Sequence, residues 1–223
     1  MPIKENLDII RSGIQAALKG GPADAVTLIA VTKTILPERI DELAALGITD
    51  IAENKIQEAE RKFPAIKNIR SFKKHFIGHL QTNKVKKAVE LFDVIQAVDS
   101  EHLAREISKQ AEKLNKTQEC LVEIKVSEEE SKYGVDPSGI VDFINLIRVF
   151  GNIRIIGIMG MAPYFENPEE ARPYFKRLKK CFEDAKEYNP NLSVLSMGMS
   201  NDYKIAVEEG ATMLRIGTAL FKV

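Results

Sequence analysis

Short β-type apolar runs alternate along this chain with stretches of helical periodicity, and that alternation restricts the fold to a mainly parallel sheet with covering helices. The runs are Thr27 to Thr32, Thr49 to Ala52, His75 to Ile77, Val94 to Val98, Cys120 to Val126, Ile153 to Ile158, Ser193 to Leu195 and Thr212 to Ile216. Between them, apolar residues recur at three-and-four spacing, as in Leu103, Ile107, Ala111 and Leu114, or Phe175, Leu178, Phe182 and Ala185. Asp136-Pro137 and Asn167-Pro168 each place an N-cap before a proline at a first helical position, and Asn167 with Glu170 has capping-box spacing. Eight such runs, with no linker rich in Pro, Gly or Ser, predict an α/β chain forming a single (β/α)8 TIM barrel over residues 1–223. An open doubly wound sheet shares the alternation and is the alternative. Seven residues follow Ile216, too few for a full last helix, whereas Ile3, Leu7, Ile10, Ile14 and Leu18 form an amphipathic helix ahead of the first strand. That extra N-terminal helix is expected to cover the flank left bare.

Composition excludes several function classes. With 44% hydrophobic residues the chain can bury a core, and 32 basic against 32 acidic residues leave no global field toward nucleic acid or an acidic membrane. The uncharged stretch Ile155 to Phe165 is 11 residues, short of the ~20 that span a bilayer. The N-terminus lacks signal-peptide features, and Cys120 and Cys181 make neither a disulfide framework nor a metal knuckle. A cytoplasmic monomer with two packed thiols is expected.

In a parallel barrel the working groups collect where strands run into the following loops. Lys33 closes the run Leu28-Ile-Ala-Val-Thr32, where desolvation could turn its amine toward Schiff-base chemistry; a stem lying on apolar surface with its ammonium in water is the plainer reading. Ser196-Met-Gly-Met-Ser200 and Arg215-Ile-Gly-Thr218 follow the seventh and eighth runs, where barrels commonly bind phosphate, or they are ordinary strand-to-helix turns. Met197 and Met199 fit either a pocket wall or core packing. Arg215 is a cation beside this segment; facing a pyridine it would keep the ring nitrogen unprotonated, and otherwise it pairs with a carboxylate. His79 suits a pocket wall, His75 a surface position on a strand, and the two without a third ligand make no zinc site. Lys84, Lys86 and Lys87 read as a solvated helix face rather than an RNA patch, and no nucleotide-binding glycine loop is present.

As a set, Ala30-Val-Thr-Lys33-Thr, Glu53-Asn-Lys-Ile-Gln-Glu58, His75-Phe-Ile-Gly-His-Leu-Gln-Thr-Asn-Lys84, Glu129-Glu-Ser-Lys-Tyr-Gly134, Ser196-Met-Gly-Met-Ser-Asn-Asp202 and Arg215-Ile-Gly-Thr-Ala219 resemble the pyridoxal-phosphate homeostasis protein family. The likeness runs in order from about Leu28 to Phe221. It implies a barrel similar to the N-terminal domain of alanine racemase, binding pyridoxal 5'-phosphate (PLP) as a Schiff base on Lys33. By the same resemblance Arg215 faces the pyridine nitrogen, Ser200, Gly217 and Thr218 hold the phosphate, Asn54 lines the ring, and Ser196 and Met199 lie nearby. Lys132 resembles a family lysine near the pocket mouth, a secondary or transfer site. Two departures stand out: Ala52 replaces a glycine before Glu53-Asn54, and Lys125-Val-Ser127 replaces an Asn-Thr step after the fifth strand.

The function so implied is PLP homeostasis in vitamin B6 metabolism, by a non-catalytic carrier that buffers PLP or delivers it to PLP-requiring apoenzymes. Only Gly217 to Val223 follow the last strand, so no second domain is expected to bring an opposing tyrosine base; Tyr133 and Tyr164 are the loop tyrosines able to visit the pocket. A PLP-dependent amino-acid racemase or lyase is the alternative, with Lys33 as one base. An Arg215→Glu substitution is expected to alter the cofactor's spectrum more than the fold.

Overall fold

A computed structural model describes residues 2–127 and 133–222. Its strands are β1 (Thr27–Val31), β2 (Asp50–Glu53), β3 (Lys73–Phe76), β4 (Val94–Val98), β5 (Gln118–Ile124), β6 (Ile153–Gly160), β7 (Val194–Ser196) and β8 (Met213–Ile216). Each pairs in parallel with the next, and β8 returns to β1 from Thr27↔Met213 to Ala30↔Ile216, closing the barrel. The helices are α1 (Ile3–Ala17), α2 (Pro37–Ala45), α3 (Ile56–Lys62), α4 (Val85–Leu91), α5 (Glu101–Lys113), α6 (Ile140–Ile147), α7 (Arg172–Tyr188), α8 (Tyr203–Glu208) and the single turn α9 (Thr218–Phe221). The expected (β/α)8 architecture is the one that forms.

The last helix is indeed only one turn, and α1 supplies what it lacks. Ile3, Leu7, Ile10 and Ile14 are buried on one face of α1, which packs against α8 and α9. Buried Asn6 ties the ends together by donating to the carbonyls of Leu220 and Lys222 at 3.0 and 2.8 Å. Elsewhere the helix signals act one turn early. The Asp136 carboxylate accepts from Ser138 N at 2.8 Å and the Asn167 side chain from Glu169 N at 3.2 Å, but each opens a 3-10 turn, and α6 and α7 begin only at Ile140 and Arg172. Leu114, expected on the buried face of α5, is 46% exposed because that helix stops at Lys113 and Asn115 turns away with φ 49°.

Strand alternation sorts the apolar residues into two cores. Outward positions meet the helices, as Phe76 does against Phe92 after α4, while Ile29, Val31, Ala52, Leu121, Met159 and Met213 form a smaller core inside the barrel. Ala52, in place of a glycine, puts its methyl into this inner core. Cys120 and Cys181 are buried free thiols, and burial raises the pKa of both. His75 is not at the surface: it shares the inward parity of its register partner Ala52, is fully buried, and bonds Asp50 and Gln96 inside the barrel. Among the described residues no helix is long and apolar enough to cross a membrane.

Candidate functional site

Barrel closure determines the neighbours of Lys33. β1 lies between β8 and β2, so the chain leaving Thr32 emerges between the Arg215–Thr218 segment and Glu53-Asn54. A cavity of about 750 Å³ opens here, at the ends where the strands run out, and Lys33, Asn54, Met199, Ser200, Arg215, Gly217 and Thr218 all line it. Of the residues expected to bind the cofactor, Ser196 stands apart, fully buried and outside the cavity wall. Met197 is core, whereas Met199 belongs to the wall. Lys132 lies outside the described residues.

Lys33 is exposed, so what distinguishes it is the backbone that carries it rather than desolvation. Thr34 adopts φ 65°, a left-handed conformation costly for a β-branched residue. It is held by a bond from Thr34 N to Glu58 Oε1 at 2.7 Å. On the other side of Lys33, the carbonyl of Thr32 accepts from Lys62 Nζ at 2.7 Å, and the same ammonium donates to Glu53 Oε1 at 2.7 Å and Glu58 Oε1 at 2.8 Å. Both neighbours of Lys33 are thereby tied to α3. Burial raises the Glu53 carboxyl despite its bonds from Lys62 and Thr32; at Glu58 burial also pushes upward, but Lys62 and the Thr34 N–H outweigh it and the pKa falls.

Arg215 is 3% exposed, donating from Nη1 to Ser196 Oγ at 2.6 Å and from Nη2 to the Gly160 carbonyl at 3.0 Å. Burial lowers its pKa to about 10, against the pull of Glu123 and Asp202, so the guanidinium remains a cation at neutral pH. Among the described residues it makes no ion pair. Glu123 and Asp202, both buried in the cavity wall, were not foreseen. Burial lifts the Glu123 carboxyl to about 7, with Asp99 adding repulsion and Arg215 opposing. Burial also raises Asp202, whose Oδ1 accepts from Met199 N at 2.6 Å. A carboxylate inside the apolar run Cys120 to Val126 was the available signal for Glu123.

The turns after β7 and β8 are stitched together where Ser200 Oγ accepts from Ala219 N at 3.1 Å. That bond leaves the hydroxyl proton of Ser200 free to donate. The backbone N–H groups of Ser200, Asn201 and Thr218 take no acceptor among the described residues. The tight β7 turn needs glycine: Gly198 has φ +90°, and a Cβ there would lie 2.5 Å from Ala206 Cβ. Gly78 lets β3 end against Asn54, since its Cβ would meet the Asn54 carbonyl oxygen at 2.1 Å. Asn54 Oδ1 is buried with no hydrogen-bond partner among the described residues. At the mouth, exposed Tyr133 stacks on His79 with ring centroids 3.5 Å apart, and Tyr164 is 77% exposed. No cluster of metal-ligating side chains occurs among the described residues. Lys87 is an exposed residue paired with Glu60 and Glu90.

The sequence profile of a family described as alanine racemase, N-terminal domain, matches residues 4–223. The pyridoxal phosphate homeostasis protein of Aquifex aeolicus is 40% identical over 220 residues, covering 97% of this chain and 96% of that protein. The protein of the same name from Synechocystis is 38% identical over 198 residues, covering 88% and 91%. Among solved structures, PipY of Synechococcus elongatus with PLP bound superimposes with a TM-score of 0.85 at 32% identity, over 98% of this chain and 99% of that one. Alanine racemase of Clostridium difficile shares the fold, with a TM-score of 0.74 at 14% identity, over 99% of this chain and 55% of that one.

Proposed function

The chain belongs to the pyridoxal phosphate homeostasis proteins, within the family of the alanine racemase N-terminal domain, and from that membership we propose that it binds PLP, as a Schiff base on Lys33. When bound, PLP supplies an electrophilic aldehyde conjugated to a pyridine ring. The residues present suit it. Lys33 offers an exposed amine on a braced turn, and the same cavity wall holds unpaired N–H groups and the hydroxyls of Ser200 and Thr218, donors that an anionic phosphate satisfies. The buried, unbonded Asn54 Oδ1 is a second opening for a ligand group. Arg215, a cation at neutral pH, keeps an adjacent ring nitrogen unprotonated and so weakens the ring as an electron sink. That property suits holding the cofactor over using it, and the role we infer is a carrier that buffers PLP and passes it to apoenzymes.

The observation that carries this reading is the meeting of Lys33 and the unpaired donors of the last two turns in one cavity. Purified protein mixed with PLP and then freed of unbound cofactor is expected to stay yellow, and Lys33→Ala treated alike to lose the colour. A wild type that cannot be charged with PLP contradicts it. One observation favours a second reading, an amino-acid racemase or lyase. Glu123, with a pKa near 7, is a proton-transfer group in the cavity wall. Exchange of amino-acid α-protons in deuterated water by the loaded protein, lost in Glu123→Gln, would establish that alternative.

A further inference from the structure

Five buried polar side chains from five strands form one hydrogen-bonded line through the barrel interior. Arg215 Nη1 on β8 donates to Ser196 Oγ on β7 at 2.6 Å, and the Ser196 hydroxyl donates to Gln96 Oε1 on β4 at 2.7 Å. Gln96 Nε2 donates to His75 Nδ1 on β3 at 3.0 Å, and His75 Nε2 donates to Asp50 Oδ1 on β2 at 2.8 Å. Ser196, Gln96 and His75 are fully buried, Asp50 is 7% exposed, and its Oδ2 accepts from the Thr49 hydroxyl at 2.6 Å.

Every donor points the same way, from a buried cation to a buried carboxylate, and the ends dictate the direction. Guanidinium has no acceptor and an ionised carboxylate has no donor. With a neutral imidazole, turning the Gln96 amide over would give Ser196 two donors and no acceptor for its own proton, and would set a lone pair of His75 against the Asp50 carboxylate. The one-way arrangement satisfies every group. Glu123 and Asp202 are the charged groups that pull on Arg215, and the line adds a hydrogen-bonded route from the guanidinium through Ser196, Gln96 and His75 to a further carboxylate, Asp50.

We propose that Ser196, Gln96, His75 and Asp50 are positioning residues, which fix the plane of the Arg215 guanidinium in the cavity wall and so set how it meets a bound cofactor ring. The part concerning the ring rests on the reading of the site given above. The part concerning Arg215 does not.

Two readouts separate these parts. In unloaded protein, the side-chain N–H resonances of Arg215, identified by their loss in Arg215→Lys, should exchange slowly with solvent. They should exchange about fivefold faster in Ser196→Ala, the effect of one lost buried hydrogen bond, and recover in Ser196→Thr. In PLP-loaded protein, Ser196→Ala and Gln96→Leu should displace the cofactor's absorption band, and neither should displace it further in an Arg215→Gln background. Unchanged exchange in Ser196→Ala overturns the positioning role, as does a band that moves equally with and without Arg215. A wild type that takes up no PLP removes the cofactor reading and leaves the exchange measurement to decide the rest. Should Ser196→Ala fail to fold, Gln96→Met provides the same two readouts.

Discussion

The two ends of this barrel treat charge in opposite ways. Where the strands begin, charges pair in the open: Lys73 meets Glu119 at 2.7 Å, Arg154 shares that carboxylate, and Lys74 meets Asp93 at 2.5 Å, with Lys73 45% and Arg154 64% exposed. A depression of about 950 Å³ lies there too, walled by Glu119, Arg148 and Arg154. Where the strands end, charge is buried: Glu53 pairs with Lys62 at 2.7 Å, while Arg215, Glu123 and Asp202 surround a smaller cavity and, among the described residues, none of these three makes an ion pair. Size is therefore a poor guide to which hollow takes a ligand. Charges already neutralised by neighbours in water have little left to offer, whereas buried charges of perturbed pKa mark the end where chemistry is held in reserve.

The contrast breaks most easily at Arg215. Arg215→Glu would put a third carboxylate beside Glu123 and Asp202 and disconnect Ser196, so the unloaded protein should lose about 4 kcal/mol, a fall in melting temperature of about 10 °C. This reverses the expectation from sequence that the spectrum would suffer more than the fold. A fall under about 3 °C would show that the buried charge is better hydrated than its surroundings allow. Lys62→Met comes next. It leaves fully buried Glu53 without its cation, costing about 3 kcal/mol in a denaturant midpoint, and it frees the carbonyl that precedes Lys33.

Glu123 sharpens the contrast through pH. Its folded-state pKa of about 7 exceeds the ordinary 4.5, so the native protein keeps a proton that the unfolded chain releases between these values. The resulting stabilisation is complete below the unfolded pKa and is lost as pH rises through 7, at most about 3 kcal/mol. Melting curves of Glu123→Gln between pH 5 and 7 should consequently slope less steeply downward than those of the wild type. Smallest of all should be Lys73→Ala at the opposite end, under about 1 kcal/mol and vanishing in 1 M salt.

Much of the fold was legible because a parallel strand covered on both faces reads as a continuous apolar run, and all eight runs became strands within a few residues. The loop residues lining the cavity were legible for a related reason: Lys33 follows its run directly, and Thr218 and Ser200 lie two and five positions past theirs. What escaped notice was what closure brings together. His75 beside Lys73 and Lys74 looks like part of a wet strand, and its true side is set by register with Ala52 on the neighbouring strand. Gln96 within Val94 to Val98 and Glu123 within Cys120 to Ile124 were visible interruptions of apolar runs, but their partners come from distant strands, as Ser196 does for Gln96. The bracing of Lys33 by Lys62 is likewise invisible in sequence, because it depends on how α3 lies back across the end of β1.

The central claim is that the amine of Lys33 carries the cofactor. Borohydride reduction of PLP-loaded protein, followed by digestion and mass mapping, reads this directly. The peptide containing Lys33 should carry the pyridoxyl adduct, and Lys33→Ala should carry none at that site. An adduct found chiefly on another lysine of the wild-type chain, with the Lys33 peptide unmodified, would contradict it.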